Sequence, residues 1–188
     1  MEFQPLSIDG AWIARSALHK DERGSFREWF RNDDMRTTTG FNFEVVQANL
    51  SVSKRGVLRG IHYSLAETGQ SKWVTCATGS IWDVVVDLRP SSPTFKQSVG
   101  VELSGERGEG VIISAGLGHA FLALQDETVV SYLLTSGYSP TNEYGIDPFD
   151  TDLAINWPKL NHILSTQDRE APTLIDRLVQ GLLPGHGL

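Results

Sequence analysis

Short β-prone runs separated by turn signals fill the chain between about residues 25 and 135. The stretch "FEVVQANLSVS" alternates strictly, with Val46, Ala48, Leu50 and Val52 on one side and polar residues on the other. This two-residue period is typical of a strand with two different faces. Similar runs follow at 57–63, 71–78, 81–89, 96–104, 111–114, 120–125 and 128–135. Short strands at this spacing predict an all-β antiparallel sandwich or barrel.

Helix signals are restricted to two stretches. Residues 31–40 predict a short helix, and residues 169–183 predict a C-terminal helix that is ended by Gly and Pro. The sequence shows no internal repeat, low-complexity tract or interdomain linker. We therefore expect a single domain over 1–188, with its core at about 20–160 and a helical tail at about 169–188.

Composition limits the partners and the compartment. The net charge of −7 argues against a protein that coats nucleic acid or an anionic membrane. The sequence contains no signal peptide pattern and no apolar stretch of about 18 residues, the length that a membrane span needs. Cys76 is the only cysteine, which excludes an intrachain disulfide and suits a reducing compartment. We expect a soluble cytoplasmic protein with neither nucleic acid nor membrane as a partner.

Polar and ionisable side chains recur inside the apolar runs. They are Gln47, Asn49, Arg59, His62, Lys72, Asp83, Asp87, His119 and Tyr132. Burying such groups without partners costs several kcal/mol each, so a barrel whose interior is a ligand site accounts for the whole set. Arg59 and His62 have opposite strand parity, and a bulge at Gly60 would bring both to one face.

This set of residues suits proton transfer. Histidine, with an unperturbed pKa near 6.5, is a suitable base at neutral pH, and tyrosine can serve as the acid. Lys72 and Arg59 could neutralise an oxyanion or a phosphate, and Arg23 is a further candidate cation.

Other chemistries are disfavoured by the same sequence. Ser64 stands where the second imidazole of a His-x-His metal motif would be needed, so we predict that the site has no metal. The sequence has no Gly-x-Ser-x-Gly nucleophile motif, and Cys76 has no basic neighbour in sequence.

Six segments in one order resemble the nucleotide-sugar epimerases of the dTDP-4-dehydrorhamnose 3,5-epimerase type. They are "DERGSFREWF", "QANLSVSKRGVLRGIHY", "GQSKWVTCATGSIWDVVVDLRPSSPTF", "GLGHAFLAL", "VSYLLTSGYSPTNEYGI" and "WPKLNHILSTQD". The match runs from about residue 5 to residue 175. His19, Ser114 and Gln167 depart from the commonest family form. Together with "GIHY…GQSKW" they resemble the antibiotic deoxysugar branch, in which some members invert only C3 or only C5.

The resemblance implies a cupin-type jelly roll, usually a homodimer that exchanges N-terminal strands, and neither a metal nor an organic cofactor. The implied substrate is a dTDP-4-keto-6-deoxyhexose. His62 would be the base, held by Asp168 in a dyad, with Asp83 a second acid nearby. Tyr132 would be the acid on the opposite face of the sugar, and Lys72 would face the ketone oxygen.

The resemblance also implies the binding residues. Arg59 and His119 would contact the sugar and the diphosphate. The nucleotide contacts would be Arg23, Glu28, Gln47, Asn49, Tyr138 and Glu143, with Arg23 and Glu28 reaching across the dimer. Two other functions stay open at this point: a cupin 3,4-ketoisomerase of the same substrate class, and a non-catalytic nucleotide-sugar binding module.

Overall fold

The computed structural model describes residues 1–185. The strands are β1 (Glu2–Pro5), β2 (Ala11–Arg15), β3 (His19–Asp21), β4 (Gly24–Phe26), β5 (Gln47–Ser53), β6 (Leu58–Ser64), β7 (Lys72–Thr78), β8 (Ser80–Asp87), β9 (Ser98–Ser104), β10 (Glu109–Ile113), β11 (Leu117–Ala123), β12 (Thr128–Leu134) and β13 (Glu143–Gly145). The helices are α1 (Asn32–Thr39), α2 (Thr166–Arg169) and α3 (Leu174–Val179).

Two antiparallel sheets form the body of the domain. One has six strands in the order β1-β2-β10-β7-β12-β5, and the other has five in the order β13-β6-β11-β8-β9. Strands β3 and β4 form a separate hairpin. This architecture confirms the predicted all-β class and its antiparallel, jelly-roll-like arrangement.

The main core lies between the two sheets. Val74 and Val111 of the six-stranded sheet pack in one cluster with Val85 and Phe121 of the five-stranded sheet. The outer face of the five-stranded sheet is also covered, because the segment after β13 packs on it through residues such as Trp157. Strands β8 and β11 are therefore buried along nearly their whole length, as strands covered on both faces are.

The core extends beyond the expected range of residues 20–160. Ile8 and Ala11 are almost fully buried at the N-terminal side, and Leu174 is fully buried at the C-terminal side. Strand β2 is an interior strand that pairs with both β1 and β10. Strands β1 and β2 were not predicted, although "AWIAR" in β2 shows the alternation of a short strand.

The helical predictions are only partly met. Helix α1 confirms the short helix predicted at 31–40, and it ends at Gly40, whose φ of 75° is left-handed. The C-terminal helix predicted at 169–183 is confirmed as α3, but it is shorter than predicted, because the chain passes through Pro172 before α3 begins at Leu174 and ends at Val179. Residues 186–188 of the expected tail lie outside the described residues.

The helices of residues 1–185 are short and polar enough that none of them qualifies as a membrane-spanning segment.

Candidate active site

A cavity of about 390 Å³ opens between the two sheets. Its walls combine side chains from β5, β7 and β12 of one sheet with side chains from β6, β11 and β13 of the other, and α2 closes part of the rim. The predicted site residues that line it are Gln47, Asn49, Arg59, His62, Lys72, His119, Tyr132, Tyr138, Glu143 and Asp168. The polar residues of the strands therefore surround a cavity, and its use as a ligand site stays a prediction.

Strand β5 turns its polar face inward. Gln47 and Asn49 line the cavity, and the Gln47 amide donates a hydrogen bond to Asn49 at 2.9 Å. The apolar face of the same strand points outward, where Leu50 is 65% exposed and Val52 is 51% exposed. The alternation read from the sequence is present, but the usual assignment of the apolar face to the interior is reversed.

A bulge in β6 places Arg59 and His62 on the same cavity. His62 pairs with His119 of β11, and Arg59 pairs with Phe121 of the same strand. Two residues of β6 lie between Arg59 and His62, whereas only one residue of β11 lies between their partners. Gly60 lies within the bulge at φ 115°, and a Cβ there would come within 2.5 Å of the His119 carbonyl oxygen. The predicted bulge at Gly60 is confirmed, and only glycine fits it.

His62 is paired with Asp168, a residue 106 positions later in the chain. The distance from His62 Nε2 to Asp168 Oδ1 is 2.6 Å. Burial of Asp168 acts to raise its pKa, but hydrogen bonds from His62, Ser165 and the Gly60 backbone outweigh burial and hold the pKa below its usual value. Asp168 is therefore a carboxylate that accepts a hydrogen bond from Nε2–H of His62. This arrangement leaves Nδ1 of a neutral His62 unprotonated and able to act as a base.

His119 and Asp83 form a second pair beside the first. His119 Nε2 is 2.7 Å from Asp83 Oδ2, and Asp83 is completely buried. His119 lines the cavity, whereas Asp83 lies behind it. Asp83, expected as a second acid near the His62 dyad, contacts His119 and not His62 itself. The reason is its register on β8, opposite Phe121 of β11.

Lys72 places its amino group in the cavity without an ion-pair partner among residues 1–185. Its side chain is buried, and its closest polar contact is the His62 carbonyl oxygen at 3.5 Å from Nζ. Burial lowers the pKa of Lys72, while the charges of Glu143 and Asp83 oppose that shift. Among residues 1–185, no carboxylate lies within 4.0 Å of Lys72 or of Arg59. Both cations are therefore available to an anionic ligand.

Tyr132 approaches the cavity from the sheet opposite His62. It lies on β12, where its neighbours are Asn49 of β5 and Val74 of β7. His62 lies on β6 of the other sheet. A ligand between the sheets would therefore meet the imidazole on one side and the phenol on the other.

Three polar residues flagged in the sequence lie away from the cavity. Arg23 is in the β3–β4 hairpin with its side chain 85% exposed and bonded to Asp21, and Glu28 pairs with Arg31. Asp87 was expected in the cavity, and this was wrong. Burial acts to raise the pKa of Asp87, but hydrogen bonds from a neighbouring arginine, serine and threonine outweigh burial and lower it to about 2.

The structure also adds residues that sequence analysis did not single out. Gln70 lines the cavity and donates a hydrogen bond to Glu143 at 3.1 Å, and Ser165 caps α2 next to Asp168. The sequence signals were the "GQSK" turn and the Ser-x-x-Asp spacing of a helix N-terminus. Within residues 1–185, no three His, Cys, Asp or Glu side chains are grouped as metal ligands would be.

Comparison with known proteins identifies the same group of enzymes as the sequence motifs. Residues 5–176 match the family described as dTDP-4-dehydrorhamnose 3,5-epimerase. A dTDP-4-dehydro-6-deoxyglucose 3-epimerase of Streptomyces bikiniensis is 46% identical, over 97% of this chain and 93% of that protein. A dTDP-4-dehydrorhamnose 3,5-epimerase of Mycolicibacterium smegmatis is 45% identical, over 98% and 91%.

The fold of a solved relative agrees as well. NovW, a 4-keto-6-deoxy sugar epimerase from the novobiocin biosynthetic gene cluster of Streptomyces spheroides, superposes with a TM-score of 0.96 at 41% identity, covering 99% of this chain and 94% of NovW. The predicted resemblance, including its antibiotic deoxysugar branch, is confirmed.

Proposed function

Because the chain belongs to the dTDP-4-dehydrorhamnose 3,5-epimerase family, we propose that it inverts C3, C5 or both of a dTDP-4-keto-6-deoxyhexose. The relatives named as 3-epimerases and those named as 3,5-epimerases are about equally similar to it. Their names therefore leave open which of the two carbons is inverted.

The observation that carries the proposal is the placement of His62 and Tyr132 on opposite sheets of one cavity. A 4-ketone acidifies the hydrogens on C3 and C5. His62 Nδ1 removes one of these protons, and the electron pair moves to the ketone oxygen as an enolate. Tyr132 then donates its hydroxyl proton to the same carbon from the other face. Inversion needs a donor and an acceptor on different faces, and the two residues meet that requirement.

The cations of the cavity fit the charges of this reaction. Lys72, close to the His62 backbone, would stabilise the enolate oxygen, because a charge in a dry site acts strongly on a developing anion. Arg59 and His119 would hold the sugar and the diphosphate. Gln47, Asn49, Tyr138 and Glu143 would contact the nucleotide. Among residues 1–185, Arg59 has no carboxylate within 4.0 Å, so its charge is available to a diphosphate.

The direct test of the proposal is solvent exchange. We expect the protein, incubated with dTDP-4-keto-6-deoxyglucose in D2O, to replace the proton at C3, C5 or both with deuterium, observed as loss of the corresponding NMR signals. A new carbonyl signal at C3 would instead identify a 3,4-ketoisomerase. Binding of the nucleotide sugar without exchange would identify a binding module, and either result would overturn the epimerase proposal.

We further propose that the protein is a homodimer. Strand β5 lies at the edge of its sheet with an outward apolar face, where Leu50 is 65% exposed and Val52 is 51% exposed. Contiguous exposed apolar side chains on a soluble protein mark an association surface. The β3–β4 hairpin is exposed along its whole length and carries Arg23 and Phe26, the latter 71% exposed. The hairpin would bring Arg23, and Glu28 just after it, to the partner's cavity.

Replacing Leu50 with aspartate should break this dimer. Burying the new carboxylate in an apolar interface would cost about 2 kcal/mol or more, which weakens association roughly 30-fold or more. Sedimentation velocity over a concentration series would show a monomer at concentrations where the unchanged protein is dimeric.

The matched control is Val179→Asp, because Val179 is also apolar and is 81% exposed on α3. That variant should keep the dimer. If the Leu50→Asp protein stays dimeric, the β5 face is not part of the dimer interface.

A further inference from the structure

Asp168 is held by its own helix as well as by His62. Ser165 is the N-cap of α2, and its Oγ accepts a hydrogen bond from the Asp168 backbone N–H at 3.0 Å. The Asp168 carboxylate lies 2.6 Å from His62 Nε2. The capped turn therefore sets the position from which the carboxylate reaches His62.

The segment before α2 is tied to the strand that carries His62. The Ile163 N–H donates to the Gly56 carbonyl oxygen at 2.8 Å, and the Leu58 N–H donates to the Ile163 carbonyl oxygen at 2.9 Å. These bonds set the register of the segment on the beginning of β6. Ser165 follows two residues later and starts the turn that delivers Asp168 to His62.

We propose that Ser165 is a positioning residue, whose hydroxyl caps the turn that carries Asp168 and so holds the carboxylate where His62 keeps its proton on Nε2 and presents a bare Nδ1 to the cavity. This inference rests on the proposed function, because it concerns the base of that reaction. A carboxylate on a turn that is free to shift would hold the imidazole less well in its productive tautomer and orientation, even with every catalytic group present.

The chain provides a helix cap that lacks this connection. Thr173 caps α3, where its Oγ1 accepts from the Asp176 N–H at 3.2 Å and donates to Asp176 Oδ2 at 2.6 Å. Asp176 is exposed, and the contacts of its carboxylate within residues 1–185 are to Thr173 alone. Removing either cap should destabilise a helix start to a similar extent, but only Ser165 is linked to His62.

The test compares Ser165→Ala, Ser165→Thr and Thr173→Ala in the full chain. We expect Ser165→Ala to lower kcat roughly 10- to 100-fold with little change in KM, because misorientation affects the reaction step more than binding. Ser165→Thr keeps a hydroxyl and should recover most of kcat. Thr173→Ala should leave kcat unchanged while lowering the melting temperature about as much as Ser165→Ala does. Equal kcat values in both alanine variants would overturn the positioning role.

A readout that needs no substrate separates this inference from the proposed function. Imidazole ¹⁵N–¹H NMR spectra report which ring nitrogen carries the proton, and the His62 signals are assigned by their loss in His62→Asn. We expect a single Nε2–H form in the unchanged protein and a mixture of tautomers in Ser165→Ala. An unchanged His62 spectrum would overturn the inference. A changed spectrum in a protein without epimerase activity would support the positioning role and overturn the proposed function.

Discussion

Replacing His62 with asparagine is expected to lower kcat by about 10³- to 10⁴-fold, the largest loss from any single substitution in the cavity. The reason is that the variant lacks the imidazole that is paired with the Asp168 carboxylate and faces the cavity, with 40% of its side chain accessible. Asparagine keeps an N–H group that can donate to Asp168, so the buried carboxylate is not left without a partner. Steady-state turnover of dTDP-4-keto-6-deoxyglucose measures the effect.

Binding distinguishes loss of the base from loss of the fold. Calorimetric titration of His62→Asn with the nucleotide dTDP should give a Kd within a few fold of that of the unchanged protein. His162→Asn is the matched control, because His162 lies outside the cavity, where it stacks on Phe149. It should retain full turnover. A His62→Asn protein with normal turnover would show that another group removes the proton.

Replacing Tyr132 with phenylalanine should uncouple proton removal from inversion. His62 can still take the proton from C3 or C5 and exchange it with D2O, but the other face of the enolate lacks its donor. We expect deuterium to enter with retention of configuration, while inverted product falls by about 10²- to 10⁴-fold. NMR of the sugar after reaction in D2O reports exchange from signal loss and inversion from the coupling constants of the product.

The matched control for this variant is Tyr63→Phe. The Tyr63 hydroxyl donates to the Leu182 carbonyl oxygen and lies outside the cavity, so its removal should leave both exchange and inversion intact. If Tyr132→Phe inverts the sugar at the normal rate, Tyr132 is not the acid. If it loses exchange and inversion together, Tyr132 is needed before protonation, and the division of roles between the two sheets fails.

The strands of the two sheets were predictable because their signal is local. Most runs from β5 to β12 were assigned from alternation and turn residues alone, since each side chain's face follows from a period of two. The exceptions are informative. Strands β1 and β2 are short and precede the dense β region, and β13 has only three residues within a loop rich in Pro and Gly. Pairing with longer neighbours stabilises such strands, and that pairing leaves little trace in their own sequence.

The placement of some residues of the candidate site was predictable from the sequence, and that of others was not. Polar residues in apolar strands pointed to a cavity, because burying them elsewhere would be costly. Asp87 is an exception, because it is buried away from the cavity with its own partner, Arg89, two residues later in the loop after β8. The position of Asp83 behind His119 was also not predictable from the sequence. A local pattern identifies a polar side chain that is costly to bury, but it does not identify the group that binds this side chain in the folded protein.

Local sequence patterns predict the all-β class, most strand positions, the proton-transfer character of the polar set and, through ordered motifs, the family. They do not show which face of β5 lines the cavity, that Gly60 brings Arg59 and His62 to one cavity, or that Ser165 holds the partner of His62. The difference lies in the range of the interactions along the chain. Periodicity and turn chemistry act over a few residues, whereas the His62–Asp168 contact joins positions 106 apart and depends on sheet register and on backbone bonds between β6 and the segment before α2.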